Sequence, residues 1–254
     1  MYSQTQMQLK KILKDHHRGA EGLLRQTIAW FIRHPDTLAE AELEPVLGIL
    51  RRSRVSMACF GQLADRLEED LATHLDWSDI QILEAILKDV LHAEDVVTEK
   101  FASMMDERGA SEIVTLSYSS SVLQGLTAAS DQVKVLHVLE SKPGAEGRKT
   151  RHVASENVGE SVLHLDADIQ KAVDAADMGL IGADTVFADG SVLNKVLSAK
   201  LGNLLKEQGK PLYVLATSWK WSKDNGHVDH LQNDDRNLFE LVPADLITSV
   251  ISDK

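Results

Sequence analysis

The chain has 254 residues, 43% of them hydrophobic and 26% charged, which is enough apolar material for one large or two small domains. Its formal net charge of -12 argues against nucleic acid as a partner, because binding to a phosphate backbone depends on clustered Lys and Arg. Its only cysteine, Cys59, allows no intrachain disulfide, and no stretch is long and apolar enough to cross a bilayer, so we predict a cytoplasmic protein without a membrane partner.

Apolar residues recur at helical spacing through the first hundred residues, as in Leu23, Leu24, Ile28 and Phe31. The pattern breaks at 34–37 (HPDT) and at 76–79 (DWSD), where proline or Asx and Ser residues can end one helix and cap the next. We predict a helical bundle over residues 1–108.

Short apolar runs alternate with helical stretches after Gly109. The candidate strands are 113–116, 133–139, 161–165, 178–181 and 212–216. Runs of this length between helices are typical of a parallel sheet with crossover helices. We therefore predict the α/β class, with a doubly wound, mostly parallel, Rossmann-like sheet over residues 109–254. In such sheets ligands bind beyond the carboxyl ends of the strands.

Hydroxyl side chains crowd the segment after the first predicted strand, TLSYSSS at 115–121. Ser117, Ser119 and Ser120 can join the backbone N–H groups of a helix start in binding a phosphate. The alternative is that these hydroxyls only cap the helix.

The segment after the second predicted strand, ESKPGAEGRKT at 140–150, places cations beside glycines. Glycines let the backbone approach a ligand closely, and Lys142, Arg148 and Lys149 supply charge that the acidic remainder lacks. We predict an anion cradle that includes Lys142 and Arg148. The alternative is a solvated loop.

The segment GADTVFADGSVLNK at 182–195 is the most informative. Asp184 directly follows an apolar run and should stand at the carboxyl end of a strand, while Asn194 and Lys195 should open the next helix. Carboxylate and amide groups can hold vicinal hydroxyls of a polyol, and a lysine at a helix start can hold a phosphate. The alternative is a hairpin turn at Asp189-Gly190, with Asp184 capping a loop.

Two further segments carry candidate binding residues. Lys220, within TSWKW at 217–221, follows the last predicted strand and should enter the same crevice. Near the N-terminus, Arg18, Gly19 and Ala20 open a helix, and the arginine can reach a ligand phosphate across a domain interface. The alternative is a surface arginine.

We assign no metal site and expect no cofactor. His227, Asp229 and His230 have metal-ligand chemistry, but they lie in a polar loop with no obvious further ligand. Cys59 lies on an apolar helix face and is interpreted as a packed core thiol.

Five segments, taken together and in this order, resemble motifs of one protein family. They are HRGA at 17–20, ESKPGAEGRKT at 140–150, GADTVFADGSVLNK at 182–195, SWKW at 218–221 and FELVPADLIT at 239–248. The family is that of the translation initiation factor 2B alpha, beta and delta subunits, which includes methylthioribose-1-phosphate isomerase and ribose-1,5-bisphosphate isomerase. The resemblance covers nearly all of residues 112–250 and, more loosely, the helical half.

The resemblance implies one of two functional classes. Members of the first regulate nucleotide exchange, or bind phosphosugars or nucleotides without turnover. Members of the second are aldose-ketose isomerases, in which the cysteine of a Thr-His-Cys loop works with the aspartate of Gly-Ala-Asp. Asp184 matches that aspartate, but Ser117 stands where the cysteine would be. A serine hydroxyl is a far weaker acid than a thiol of pKa about 8.5. Lys142 also replaces an arginine, giving a point charge in place of a bidentate fork.

We therefore predict an initiation factor 2B-like protein that binds a phosphorylated sugar or nucleotide and acts through regulation or assembly, as a homodimer or higher homo-oligomer. Whether it is an enzyme stays open, and the candidate catalytic residues are Asp184 and Ser117. The alternative is an aldose-ketose isomerase of a ribose phosphate that uses Asp184 with a non-cysteine partner. A third reading is a scaffold with a vestigial pocket.

Overall fold

The structure, a computed structural model, describes residues 3–15, 19–109, 111–222 and 237–254, and the chain divides into two compact units, Met1–His92 and Ala93–Lys254. The first unit is helical, as predicted. Its helices are α1 (Gln4–Leu13), α2 (Ala20–Arg33), α3 (Glu40–Ser53), α4 (Ala58–Thr73) and the beginning of α5 (Asp79–Arg108). None of the helices within the described ranges combines the length and apolar character needed to cross a bilayer.

Both predicted helix breaks are confirmed. A 3-10 turn, Pro35–Leu38, separates α2 from α3. Ahead of α5, the N–H of Gln81 donates to Ser78 Oγ at 3.3 Å, and the N–H of Ser78 donates to Gln81 Oε1 at 2.9 Å, which forms a capping box. Cys59 lies on α4 with 1% of its surface exposed, as expected for a core thiol.

Helix α5 supplies apolar residues to the second unit as well. Val97, Phe101 and Met105 belong to the same buried cluster as Ile113 and Leu136 of the sheet. The compact α/β unit therefore begins at Ala93, inside the helix, whereas the sequence places the boundary where the hydrophobic period changes, at 108/109. That domain boundary stays a prediction.

The second unit is built on a parallel sheet. Its strands are β1 (Ser111–Thr115), β2 (Val133–Leu139), β3 (Glu160–His164), β4 (Met178–Gly182), β7 (Leu212–Leu215) and β9 (Ser249–Ile251), and a separate small sheet holds β5 (Thr185–Val186), β6 (Val192–Lys195) and β8 (Phe239–Val242). The large sheet has the order β3-β2-β1-β4-β7-β9, and all of its neighbours pair in parallel. The predicted fold class and all five predicted strands are confirmed.

Helices cover both faces of this sheet. They are α6 (Ser120–Ala128), α7 (Gly147–Ala154), α8 (Ile169–Ala175) and α9 (Ser198–Glu207). One buried cluster joins Phe101 of α5 and Leu126 of α6 to the sheet, and another joins Val173 of α8 and Leu201 of α9 to it. Since parallel strands covered on both faces need apolar side chains on both faces, the near-continuous apolar runs of the sequence are explained.

The small antiparallel sheet was not predicted. It begins with a hairpin in which Ser191 donates through its N–H and hydroxyl to Asp189 Oδ1, at 2.9 and 2.6 Å, and Gly190 has a φ of 85°. The hairpin interpretation of Asp189-Gly190 is therefore confirmed. The expectation that Asn194 and Lys195 open a helix is wrong: they end strand β6, and α9 begins at Ser198.

A hydrogen-bonded chain of side chains links β1, β2 and β3. His137 Nε2 lies 3.0 Å from Glu112 Oε2, and His137 Nδ1 lies 3.0 Å from Nε2 of His164. Burial lowers the pKa of His164 from its ordinary value, the charge of His137 lowers it further, and Asp168 acts in the opposite direction. The folded chain therefore takes up a proton at His164 less readily than the unfolded chain does.

This lowered pKa makes stability depend on pH in a defined direction. The contribution of His164 is fully present above the unfolded histidine pKa of about 6.5, and it is lost as the pH falls from there toward the lowered folded value. We expect His164→Gln to flatten this part of the stability curve, measured by urea unfolding over a pH series. His152→Gln, which changes an exposed histidine of α7, is the control. Equal slopes for the wild type and His164→Gln would contradict the assignment.

Candidate functional site

The strand order of the large sheet reverses between β1 and β4, which pair directly. Ligands of open α/β sheets bind at such a switch point, outside the carboxyl ends of the strands. Ser117 follows β1 at this edge, and Asp184 follows β4, as predicted. A Cβ atom added to Gly182 would lie 2.4 Å from Ser119 Oγ, so the loop after β1 packs closely on the end of β4. The fold thus brings Ser117, Ser119 and Asp184 to one edge.

The loop after β1 is held through its backbone. Ser117 has a φ of 62°, a left-handed conformation that is costly for a residue with a side chain. Its N–H donates to Ser141 Oγ at 2.7 Å, and its carbonyl accepts from the Thr150 hydroxyl. Ser119 caps α6 by accepting from the N–H of Val122 at 3.4 Å, as the alternative interpretation of these hydroxyls predicted.

Asp166, which sequence reasoning missed, ties three strand ends together. It follows β3, and its two carboxylate oxygens accept from the N–H groups of Ser141 and Lys142, each at 2.7 Å. Ser141, with a φ of 67°, in turn accepts from Ser117. The sequence does place a carboxylate directly after the predicted strand 161–165. Its hydrogen-bond partners, however, lie in the loop after β2, and the sequence pattern does not show which loops meet.

The predicted anion cradle carries its own counter-ion. Glu140, 3% exposed, lies 2.9 Å from Arg148 Nε and 3.3 Å from Lys142 Nζ. The hydrogen bond from Arg148, followed by that from Lys142, holds the pKa of Glu140 below its ordinary value. Both predicted cations are therefore paired with a buried carboxylate. Lys149 lies over the ring of Tyr118, with Nζ 3.6 Å from the ring centroid.

The end of β6 places Asn194 and Lys195 beside the loop after β4. The N–H of Asp184 donates to the carbonyl of Leu193 at 2.9 Å, which holds Asp184 next to this strand. Asn194 donates to Ser198 Oγ at 2.9 Å and so also supports the start of α9. The side chain of Lys195 is only 5% exposed and pairs with Glu146 Oε1 at 2.7 Å.

Lys220 reaches the same edge from the end of β7, the strand next to β4. It lies in the 3-10 turn Ser218–Lys220 after β7, is 3% exposed and donates to Ser121 Oγ of α6 at 3.2 Å. Ser120 is the first residue of α6. The carboxyl edge therefore gathers hydroxyls, an aspartate, an amide and two buried lysines, which is a set that can hold the hydroxyls and phosphate of a sugar phosphate.

Some predicted residues are not placed at this edge. Arg18 lies outside the described residues, as do His227, Asp229 and His230. Gly19 is the N-cap of α2 and Ala20 is its first residue, both in the first unit. Among the residues that the structure describes, no three His, Cys, Asp or Glu side chains are arranged to hold a metal ion.

The strand order and the polar strand ends define a Rossmann-like α/β domain that follows a helical unit. The chain belongs to the Initiation factor 2 subunit family, whose profile matches residues 16–237. The resemblance stated from the sequence motifs is thereby confirmed.

The relatives of this chain include proteins named as translation initiation factors and proteins named as isomerases. The putative translation initiation factor eIF-2B subunit 2-like protein of Pyrococcus abyssi is 30% identical, over 96% of this chain and 93% of the relative. The ribose 1,5-bisphosphate isomerase of Haloterrigena turkmenica is 27% identical, over 68% of this chain and 54% of the relative. The crystal structure of the Pyrococcus horikoshii translation initiation factor eIF-2B shares the fold, with a TM-score of 0.82 at 20% identity over 99% of this chain and 96% of that one.

The Asp166 network gives a test of how the site is held. Asp166→Ala removes the acceptor of two backbone N–H groups, and we expect it to cost about 2 kcal/mol of unfolding free energy and to speed hydrogen exchange at Ser141 and Lys142. Asp168→Ala, in the same 3-10 turn, removes an ion pair to the exposed Lys171 and a weak electrostatic interaction with His164, and it should cost less than about 1 kcal/mol. Urea unfolding and amide exchange measure both. Matching losses for the two variants would show that the network does not hold the loops.

Proposed function

We propose that this protein binds a phosphorylated sugar or nucleotide at the carboxyl edge of its parallel sheet, and that it acts through regulation or assembly without the cysteine-dependent isomerisation of some relatives. The observation that carries the proposal is Asp184 at the switch point, combined with Ser117 in the loop after β1, where the family resemblance implies a cysteine. The residues suited to binding are kept, and the thiol is absent.

The binding half of the proposal is supported by the chemistry of the edge. Asp184 can accept hydrogen bonds from vicinal hydroxyls, and the buried lysines, Lys195 and Lys220, offer positive charge in a chain of net charge -12. A buried ammonium interacts with a phosphate more strongly than an exposed one, because the surroundings screen the charges less. A small anionic ligand is therefore favoured over an extended polyanion.

The hydrogen bonds and the weak acidity of Ser117 support the proposed absence of isomerisation. Within the described part of the chain, the hydrogen bonds of Ser117 are made by its backbone N–H and carbonyl. A serine hydroxyl needs a neighbouring base to become a nucleophile or proton donor of useful strength, whereas a thiol titrates near pH 8.5, so about a few per cent is ionised unaided at pH 7. Proton transfer in the manner of the cysteine enzymes is therefore not favoured here.

Calorimetry tests the binding proposal. We expect ribose 1,5-bisphosphate, methylthioribose 1-phosphate or adenosine monophosphate to bind, and unphosphorylated ribose not to. Asp184→Asn should weaken binding about tenfold, because a hydrogen bond to a charged acceptor becomes a neutral one. The control is Asp174→Asn, an aspartate on the last turn of α8 that bonds Gln170 and Gln208 at the opposite edge of the sheet. No binding by any of the phosphates at millimolar concentration would refute the proposal.

An isomerase acting on a ribose phosphate is the second candidate function, and the placement of Asp184 is what favours it. Asp184 could exchange a proton with the sugar if another group, such as Ser117, Tyr118 or Lys220, acted with it. Proton NMR of the wild type with ribose 1,5-bisphosphate, following the anomeric signal, decides between the candidates. Turnover that disappears in Asp184→Asn, with folding intact, would replace the regulatory proposal by the isomerase.

Assembly is part of the regulatory proposal. The family resemblance implies a homodimer or a higher homo-oligomer, and self-association would let ligand binding in one chain alter its contacts with another. Light scattering should report at least twice the mass of the single chain. A monomer at all concentrations would remove assembly from the proposal.

A further inference from the structure

The pairing of Lys195 with Glu146 was not anticipated from the sequence and bears directly on ligand selection. Lys195 Nζ lies 2.7 Å from Glu146 Oε1, with 5% of the lysine side chain and 25% of the glutamate side chain exposed. Glu146 belongs to the loop after β2, and Lys195 ends β6. Two parts of the chain 49 residues apart thus meet in one ion pair.

The pair involves one of the two buried lysines that the proposed function assigns to phosphate binding. Lys195 is one of the cations at the carboxyl edge, and within the described part of the chain its side chain donates to this carboxylate, so its charge is compensated before any ligand arrives. Lys142 and Arg148 are compensated in the same way by Glu140. An incoming anion therefore meets paired cations.

The Glu146 pair is the one that an anion can open at lower cost. Glu140 is almost fully buried and is ion-paired with both Lys142 and Arg148. Separating it from them would leave a buried carboxylate and two cations without partners. The Glu146 side chain is a quarter exposed, but its Oε2 is buried and, within the described residues, has no hydrogen-bond partner, while Oε1 is bonded to Lys195. Because a buried carboxylate oxygen without a partner is unfavourable, movement of Glu146 into water would restore the missing hydration when it leaves Lys195.

We propose that Glu146 is a specificity-determining residue, an internal counter-ion that competes with the ligand phosphate for Lys195. This inference rests on the proposed function. A phosphate dianion carries more charge than a carboxylate and can replace Glu146, whereas a neutral sugar or a monocarboxylate cannot. The pair thus selects phosphorylated ligands against other small polyols and anions, at the cost of affinity.

The decisive variant is Glu146→Gln, which keeps the shape of the side chain and removes its charge. Lys195 is then left without its counter-ion. We expect ribose 1,5-bisphosphate to bind about tenfold more tightly by calorimetry, since the ligand no longer displaces a carboxylate, and the variant to unfold at a lower urea concentration, since a nearly buried ammonium is unpaired. A purely structural role would lower affinity and stability together.

Two controls isolate the charge at Lys195. Glu156→Gln makes the same change at an exposed glutamate beyond the end of α7, and it should leave affinity unchanged. In a Lys195→Met background, Glu146→Gln should no longer raise affinity, because no ammonium remains to compete for. The affinity for unphosphorylated ribose should not increase in Glu146→Gln.

Each outcome is informative. Unchanged or weaker binding of ribose 1,5-bisphosphate by Glu146→Gln, when the wild type binds it, overturns the counter-ion role while leaving the proposed function intact. If neither the wild type nor Glu146→Gln binds any phosphate at millimolar concentration, both the proposed function and this inference fail. Tighter binding that also appears in the Lys195→Met background would overturn the inference by showing that another cation responds.

Discussion

Strand β1 pairs in parallel with β2 on one side and with β4 on the other, and the remaining features of the α/β unit depend on this arrangement. Along the chain, β2 and β3 are added on one side of β1, and β4, β7 and β9 are then added on its other side. The direction in which the sheet grows therefore reverses at β1. In sheets of this kind the loops after the two strands at the switch point border the expected ligand site. Here these strands are β1 and β4, and their loops carry Ser117 and Asp184.

A second constraint is electrostatic. The chain has 39 acidic and 27 basic residues, yet Lys195 and Lys220 are nearly buried. An ammonium taken out of water must be paired or hydrogen-bonded, and here the partners are Glu146 for Lys195 and Ser121 for Lys220. The polar edge consequently contains pre-formed pairs, and under the proposed function a ligand would be selected by which of these pairs it can replace.

The loops that carry these groups are held by specific contacts. Asp166 accepts two backbone N–H groups, and Ser141 passes that restraint to Ser117, whose left-handed backbone would otherwise be unfavourable. Gly147, at the start of α7, lies so close to the end of β2 that a Cβ atom would fall 1.8 Å from the carbonyl oxygen of Leu139. A site can be positioned well on loops when hydrogen bonds and close packing fix them to the strands.

Local pattern was sufficient for much of the fold. The five predicted parallel strands, the helical first unit and the position of Asp184 follow from hydrophobic period and strand-end polarity, both of which act over a few residues. Strands β5, β6, β8 and β9 were not predicted, because none of them is a continuous apolar run and each is specified by the strand it pairs with. That is why Asn194 and Lys195 were expected on a helix.

Local sequence pattern was enough to predict the α/β class, the polar strand ends and the family motifs, and the family resemblance implies that Ser117 stands where a cysteine is expected. Which charges meet became known from the folded chain: Glu146 with Lys195, Glu140 with Arg148, and Asp166 with the loop after β2. The physical reason is that ion pairs and backbone hydrogen bonds between loops depend on distances across the sheet, and these are set by strand order and register, which no local pattern encodes.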